Sequence, residues 1–125
     1  MSQHRVRFLP NEDHIAPTST EPSATTDGVV IKGADTISVL IEETGGANTI
    51  TAKLWLYWPK VRSDGNPHGW QVFQGWRTSG SHTIAASGHI EDHVYCPGAT
   101  RAYLEKDAGS GTMVCAIEGY VTGGA

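Results

Sequence analysis

The chain has 125 residues, of which 18% are charged, and a net charge of −4. That length allows one domain, and the acidic balance excludes the basic field that a phosphate-backbone binder needs, so nucleic acid is not an expected partner. The opening MSQHRVRFLPNEDH holds no apolar run that could serve as a signal-peptide core, and no segment approaches the ~18 apolar residues of a membrane span. The expected product is a soluble chain made in the cytoplasm, with no membrane partner.

Residues 1–27 differ in texture from the rest. They hold three of the six prolines (Pro10, Pro17, Pro22), many Ser and Thr, and few apolar side chains. No period of two or 3.6 runs through them, so they are expected to form a flexible or extended N-terminal arm with too little apolar surface to offset its ordering entropy. Val6, Phe8, Leu9 and Ile15 are its only anchors. One reading is a tail without consequence; the other is an arm that orders against a neighbouring subunit, with VRFL adding a strand to that subunit's sheet edge.

From residue 28 to 125 short β-type runs alternate with Gly, Asn, Asp and Pro clusters. After Val29–Lys32 comes TISVLIEET, where Ile37, Val39 and Ile41 share one face. Gly45-Gly46-Ala47-Asn48 reads as a hairpin turn into NTITAKLWLYW, with Ile50, Ala52, Leu54, Leu56 and Trp58 on one face and Thr51, Lys53, Trp55 and Tyr57 on the other. Pro59 is expected to end that strand, and KVRSDGNPHG to form a long turn before WQVFQGWRT. HTIAASGHIEDHVY reads as one or two strands broken at Ser87-Gly88, and CPGAT as a turn. RAYLEKD, a Gly109-Ser110-Gly111 hairpin turn and TMVCAIEGYV complete the chain, the last grouping Met113, Cys115, Ile117 and Val121. About seven to eight strands without a helical period predict an all-β fold, a single antiparallel β-sandwich or jelly roll.

Cys96 and Cys115 lack the spacing of a zinc ribbon or a redox CxxC and read as small buried hydrophobes; a disulfide between them is the alternative. No GxSxG elbow, phosphate loop or HExxH occurs, and an enzyme is not expected. The one set that could carry chemistry is His89, Glu91 and His93, alternate residues that share a strand face and offer two imidazoles and a carboxylate, with His82 and Cys96 nearby in sequence. Neighbours two apart on a strand stand ~7 Å from each other, so a solvated polar face is the plainer reading and neither metal nor cofactor is expected. Asp64-Gly65-Asn66 lacks the rest of a calcium loop and reads as a turn.

Four tryptophans (Trp55, Trp58, Trp70, Trp76) and four tyrosines exceed what a thin core needs. They serve as large core-margin side chains, as a protein interface, or as a platform for sugar rings. The pattern of a Pro/Thr-rich arm followed by a Gly-punctuated sandwich, from GVVIKGADTISVLIEETGG to MVCAIEGYVTGGA, resembles small virion proteins of tailed bacteriophages, especially capsid decoration or cement proteins. The resemblance implies a non-enzymatic structural protein of the virion surface that sits as a homotrimer, ties major capsid proteins together and orders its arm on binding. On that reading the contact residues are Val6, Phe8 and Leu9 in the arm and Trp55, Tyr57 and Trp70 on the sandwich. A carbohydrate-binding or receptor-binding module of a phage tail is the alternative.

Overall fold

A computed structural model describes residues 21–75 and 81–121 in full, and the backbone of residues 3–9, 15–16 and 122–124. Among the described residues ten strands form two sheets: β1 (Gln3–Leu9), β2 (Ile15–Ala16), β3 (Val29–Val30), β4 (Thr36–Glu43), β5 (Ile50–Val61), β6 (Pro67–Val72), β7 (Ser81–Ile84), β8 (His89–Tyr95), β9 (Arg101–Ala108) and β10 (Met113–Gly124). The first sheet has the order β1-β10-β4-β8. The second is built on β9, β5 and β6, with β2 and β3 on β9 and β7 on β5. Every pairing is antiparallel except β2 with β9. The all-β sandwich is thus the observed architecture, with eight of the strands between residues 28 and 125.

The period-two pattern decides which way each strand faces. Ile37, Val39 and Ile41 of β4, Val94 of β8, and Met113, Cys115 and Ile117 of β10 meet Ile50, Ala52, Leu54 and Leu56 of β5 with Ala102 and Leu104 of β9 in one core. Burying these branched side chains between two faces supplies the main driving force, at roughly 1.5–3 kcal/mol for each large one. Cys96 and Cys115 are free and buried within that core. Burial pushes their thiols up to about 11 and about 12, Asp35 adding to the effect at Cys96. The thiolate is the reactive form. A thiol reagent at neutral pH is therefore expected to label neither residue in the native protein and both after denaturation; rapid native labelling would contradict this core.

The connections differ from the sequence reading in three places. Gly45–Asn48 does not close a hairpin: β4 lies in the first sheet and β5 in the second, so the turn carries the chain across the sandwich. Gly109-Ser110-Gly111 likewise crosses from β9 back to β10 in the first sheet. Both crossings follow from burial, since two consecutive strands with strong apolar faces cover each other better face to face than side by side. Finally, Pro59 does not end β5, which runs on to Val61. The β5/β6 register slips between Trp58 and Val61, and at that irregularity the missing proline N–H leaves no ladder position empty.

Ser87-Gly88 is a true break, because β7 pairs with β5 in the second sheet and β8 with β4 in the first. β1 pairs with β10 from Gln3↔Gly124 to Leu9↔Ile117, so the VRFL strand here extends this chain's own sheet. β2 crosses to the other sheet, Ile15 lying opposite Leu104.

Candidate functional site

The two ends of the sandwich are built differently. At one end the core-facing parity of β4 carries on past Ile41 to Glu43, which is only 3% exposed. Its carboxylate accepts four backbone N–H groups: Gly45 at 2.7 Å, Gly46 at 2.8 Å, Ser87 at 2.9 Å and Thr112 at 2.8 Å. One side chain therefore ties together the β4–β5, β7–β8 and β9–β10 connections. These N–H donors, Ser87 first, hold the Glu43 carboxyl down at about 2. Gly111 passes so close that a Cβ there would come within 2.9 Å of Glu43 Cγ and 2.8 Å of Ile50. This end is a closed, self-satisfied structure.

At the other end, turn 96–100 joins three elements through Cys96 N to Asp35 O at 2.7 Å, Thr100 N to Tyr57 O at 2.9 Å, and Ile31 N to Thr100 O at 2.9 Å. Among the described residues, the exposed large hydrophobics are Val30 (46% exposed) and Val61 (63%) on the second sheet and Tyr95 (71%) on the first. Trp58, Lys60, Val61, Arg62 and His68 line an open groove of about 520 Å³. Its lining mixes the apolar Trp58 and Val61 with Lys60, Arg62 and His68. The β5–β6 loop below it holds itself: Arg62 N donates to Asn66 O at 2.8 Å, Asn66 N to Asp64 Oδ1 at 3.0 Å, and Arg62 pairs with Asp64 at 3.2 Å. Asp64 is thereby occupied in an ordinary turn.

The outer face of the second sheet carries the aromatics. Trp70 meets Tyr57 at 5.4 Å and Tyr103 at 6.0 Å between ring centroids, both edge-on. Edge-on stacking is a stable arrangement for rings, but it does not present the flat surface on which a sugar would lie. The polar atoms of the indoles are also engaged, Trp70 Nε1 with Ala24 O at 3.0 Å and Trp55 Nε1 with Glu105 Oε1 at 2.9 Å. Trp55, Tyr57 and Trp70 are half-buried rather than open. Residues of the arm supply part of their cover: Arg101 donates to the carbonyls of Thr26 and Asp27, both at 2.9 Å, while Asp27 accepts Ser23 N and Ala24 N. These two N–H groups are the main reason that the Asp27 carboxyl lies below its ordinary value. Gly28, at φ 72°, fits so closely over β9 that a Cβ would lie 2.2 Å from Ala102 O. The sandwich thus takes in residues 23–27, which the sequence assigns to the arm. The signal available for this was Asp27-Gly28, a turn pair whose docking partner, Arg101, is distant in sequence.

His89, Glu91 and His93 do share the outer face of β8, opposite Glu42, Leu40 and Ser38. They stay exposed, and Glu91 and His93 border a shallow hollow of about 180 Å³ with Glu118 and Tyr120, whose hydroxyl donates to Glu118 at 2.7 Å. Among the described residues no group of three His, Cys, Asp or Glu stands close enough to hold a metal.

The sequence-selected contact residues do not gather in one place. Val6, Phe8 and Leu9 occupy register positions opposite Tyr120, Glu118 and Ile117 in the first sheet, while Trp55, Tyr57 and Trp70 belong to the second. Trp76 lies outside the described residues. Sequence reasoning passed over Val30, Val61 and Tyr95 as exposed apolar side chains. Compared with family models, with curated proteins and with solved structures, the chain matches none.

Proposed function

We propose that this chain is a non-enzymatic assembly protein, a capsid decoration protein that docks on a major capsid lattice through the apolar end of its sandwich. The observation that supports this reading is the open groove lined by Trp58 and the exposed Val61, at the end opposite the Glu43-tied turns. Exposed apolar side chains grouped together mark a contact surface, and a rigid sandwich behind them limits the entropy lost on docking. Lys60 on the groove's lining would meet an acidic side chain on the lattice. The virion surface, reached from the host cytoplasm, is the location that goes with this role.

The test is co-sedimentation with expanded heads assembled from the major capsid protein of the same virus. The wild-type chain is expected to saturate at a fixed number of copies per head. Val61→Asp should weaken attachment by at least ~10-fold, since a hot-spot truncation costs about 2 kcal/mol or more. Heads that pellet without the wild-type chain would overturn the proposal.

A further inference from the structure

Residues 23–27 hold their own shape. Asp27 Oδ2 accepts the N–H groups of Ser23 and Ala24, both at 2.9 Å, and Asp27 N donates to Ala24 O at 3.1 Å. Both ends of this turn are fixed, since Pro22 before it and Val29 after it are buried, while Ser23, Ala24, Thr25 and Thr26 between them are exposed. Two side chains of the second sheet fasten it down. Arg101 of β9 donates through Nε to Asp27 O at 2.9 Å and through Nη2 to Thr26 O at 2.9 Å and Gly28 O at 3.4 Å, and Trp70 of β6 donates to Ala24 O at 3.0 Å. Trp70 is also the middle ring of the cluster with Tyr57 and Tyr103.

Local opening takes least free energy where few apolar side chains are buried and the hydrogen bonds face solvent. Both conditions hold between Pro22 and Val29. The side chains there are small or polar, and the bonds from Trp70 to Ala24 and from Arg101 to Thr26 are exposed. The bonds within the turn do not involve the sandwich, so they persist when the fastening bonds let go. Arg101 makes most of the latter, and its strand is anchored independently by the buried Ala102 and Leu104. We propose that residues 23–28 are a latch that swings off the second sheet as one piece while the sandwich stays folded, with Arg101 as the positioning residue that keeps it shut over the Trp70, Tyr57 and Tyr103 cluster. Closed, the latch satisfies the Arg101 and Trp70 donors with its own carbonyls. Open, it leaves both donors unpaired beside the three rings, so the aromatic face can be reached only in that state. Gly28, at φ 72°, is the hinge at which the latch enters β3. This device lies on the outer face of the second sheet and does not depend on docking through the Trp58 groove.

The experiment is native-state proteolysis of the full chain with elastase, which cuts after small residues such as Ala24. It is run over a series of urea concentrations below the unfolding transition, with rates normalised to an unstructured peptide, cut sites read by mass spectrometry and the fold followed by circular dichroism. The wild type is expected to be cut between Pro22 and Val29 at a rate nearly independent of urea, because the opening exposes little surface. Arg101→Ala should speed that cut by at least ~10-fold without changing its urea dependence, since several fastening bonds are lost together. Trp70→Phe keeps a ring and loses only the bond to Ala24, so it should speed the cut by a smaller factor. A cut whose rate rises with urea in step with global unfolding would overturn the proposal, as would Arg101→Ala cut no faster than wild type. Should Arg101→Ala fail to fold, Trp70→Phe decides in its place, and an unchanged rate there counts against the latch.

Discussion

Glu43→Ala is expected to lower the melting temperature by on the order of 15 °C, more than any exposed substitution in this chain. The side chain is 3% exposed, and its removal strips the acceptor from Gly45, Gly46, Ser87 and Thr112 at once. Buried donors left without an acceptor bear their full desolvation cost. Because those donors belong to three different connections, they cannot be re-satisfied by one local adjustment. Glu43→Gln should lie between, since its carbonyl can serve part of the cluster while its NH₂ faces N–H groups. Thermal melts of the three proteins would decide the matter, and an unchanged melting temperature in Glu43→Ala would remove the carboxylate from its organising role.

The same site sets an acid limit. Its folded value, about 2, lies below the ordinary 4.5. A depressed carboxylate stabilises the fold fully above its unfolded value and loses that contribution as pH falls through the folded one. Stability should therefore decline between about pH 4.5 and pH 2. Asp27, also lowered, works in the same direction. In Glu43→Gln the decline should be shallower, which a series of melts across that window would show.

Trp55→Phe is expected to cost about 1–3 kcal/mol of folding stability and to leave attachment per folded molecule unchanged. The substitution keeps an aromatic ring on the face and removes the indole N–H that donates to Glu105 at 2.9 Å. Glu105 is 2% exposed, so a carboxylate deprived of that donor is a buried charge with poorer compensation. At ~4–8 °C per kcal/mol for a domain of this size, the loss is easily measured by urea or heat. Adding Glu105→Leu should recover part of it, because removal of both partners leaves no orphan. If Trp55→Phe kept its stability and lost head binding, Trp55 would belong to the contact surface after all.

Much of the fold was legible because a strand's two faces are set by a local period. Ile37, Val39, Ile41, Leu54 and Cys115 are all found on the core face that alternation assigns to them. Glu43 and Glu105 show where a polarity rule misleads. The alternation that buries Ile41 also directs Glu43 inward, and only the convergence of three turns makes a carboxylate stable there. Tyr103 and Glu105 share an outward face by parity, yet Glu105 is buried because that face is partly covered.

The sequence by itself determined the class of the fold, the inward face of each main strand, the buried apolar character of Cys96 and Cys115, and the break at Ser87-Gly88, since each depends on a few adjacent residues; that the two cysteines stay unpaired was decided by the tertiary structure. Which strands pair was decided only by the tertiary structure. A Gly-rich turn is equally able to close a hairpin or to cross between sheets, and the choice at Gly45–Asn48 and Gly109–Gly111 depended on how two apolar faces best cover each other. The same holds for the surface: Trp58 and His68 lie on successive strands, and only the pairing of β5 with β6 brings them into one groove.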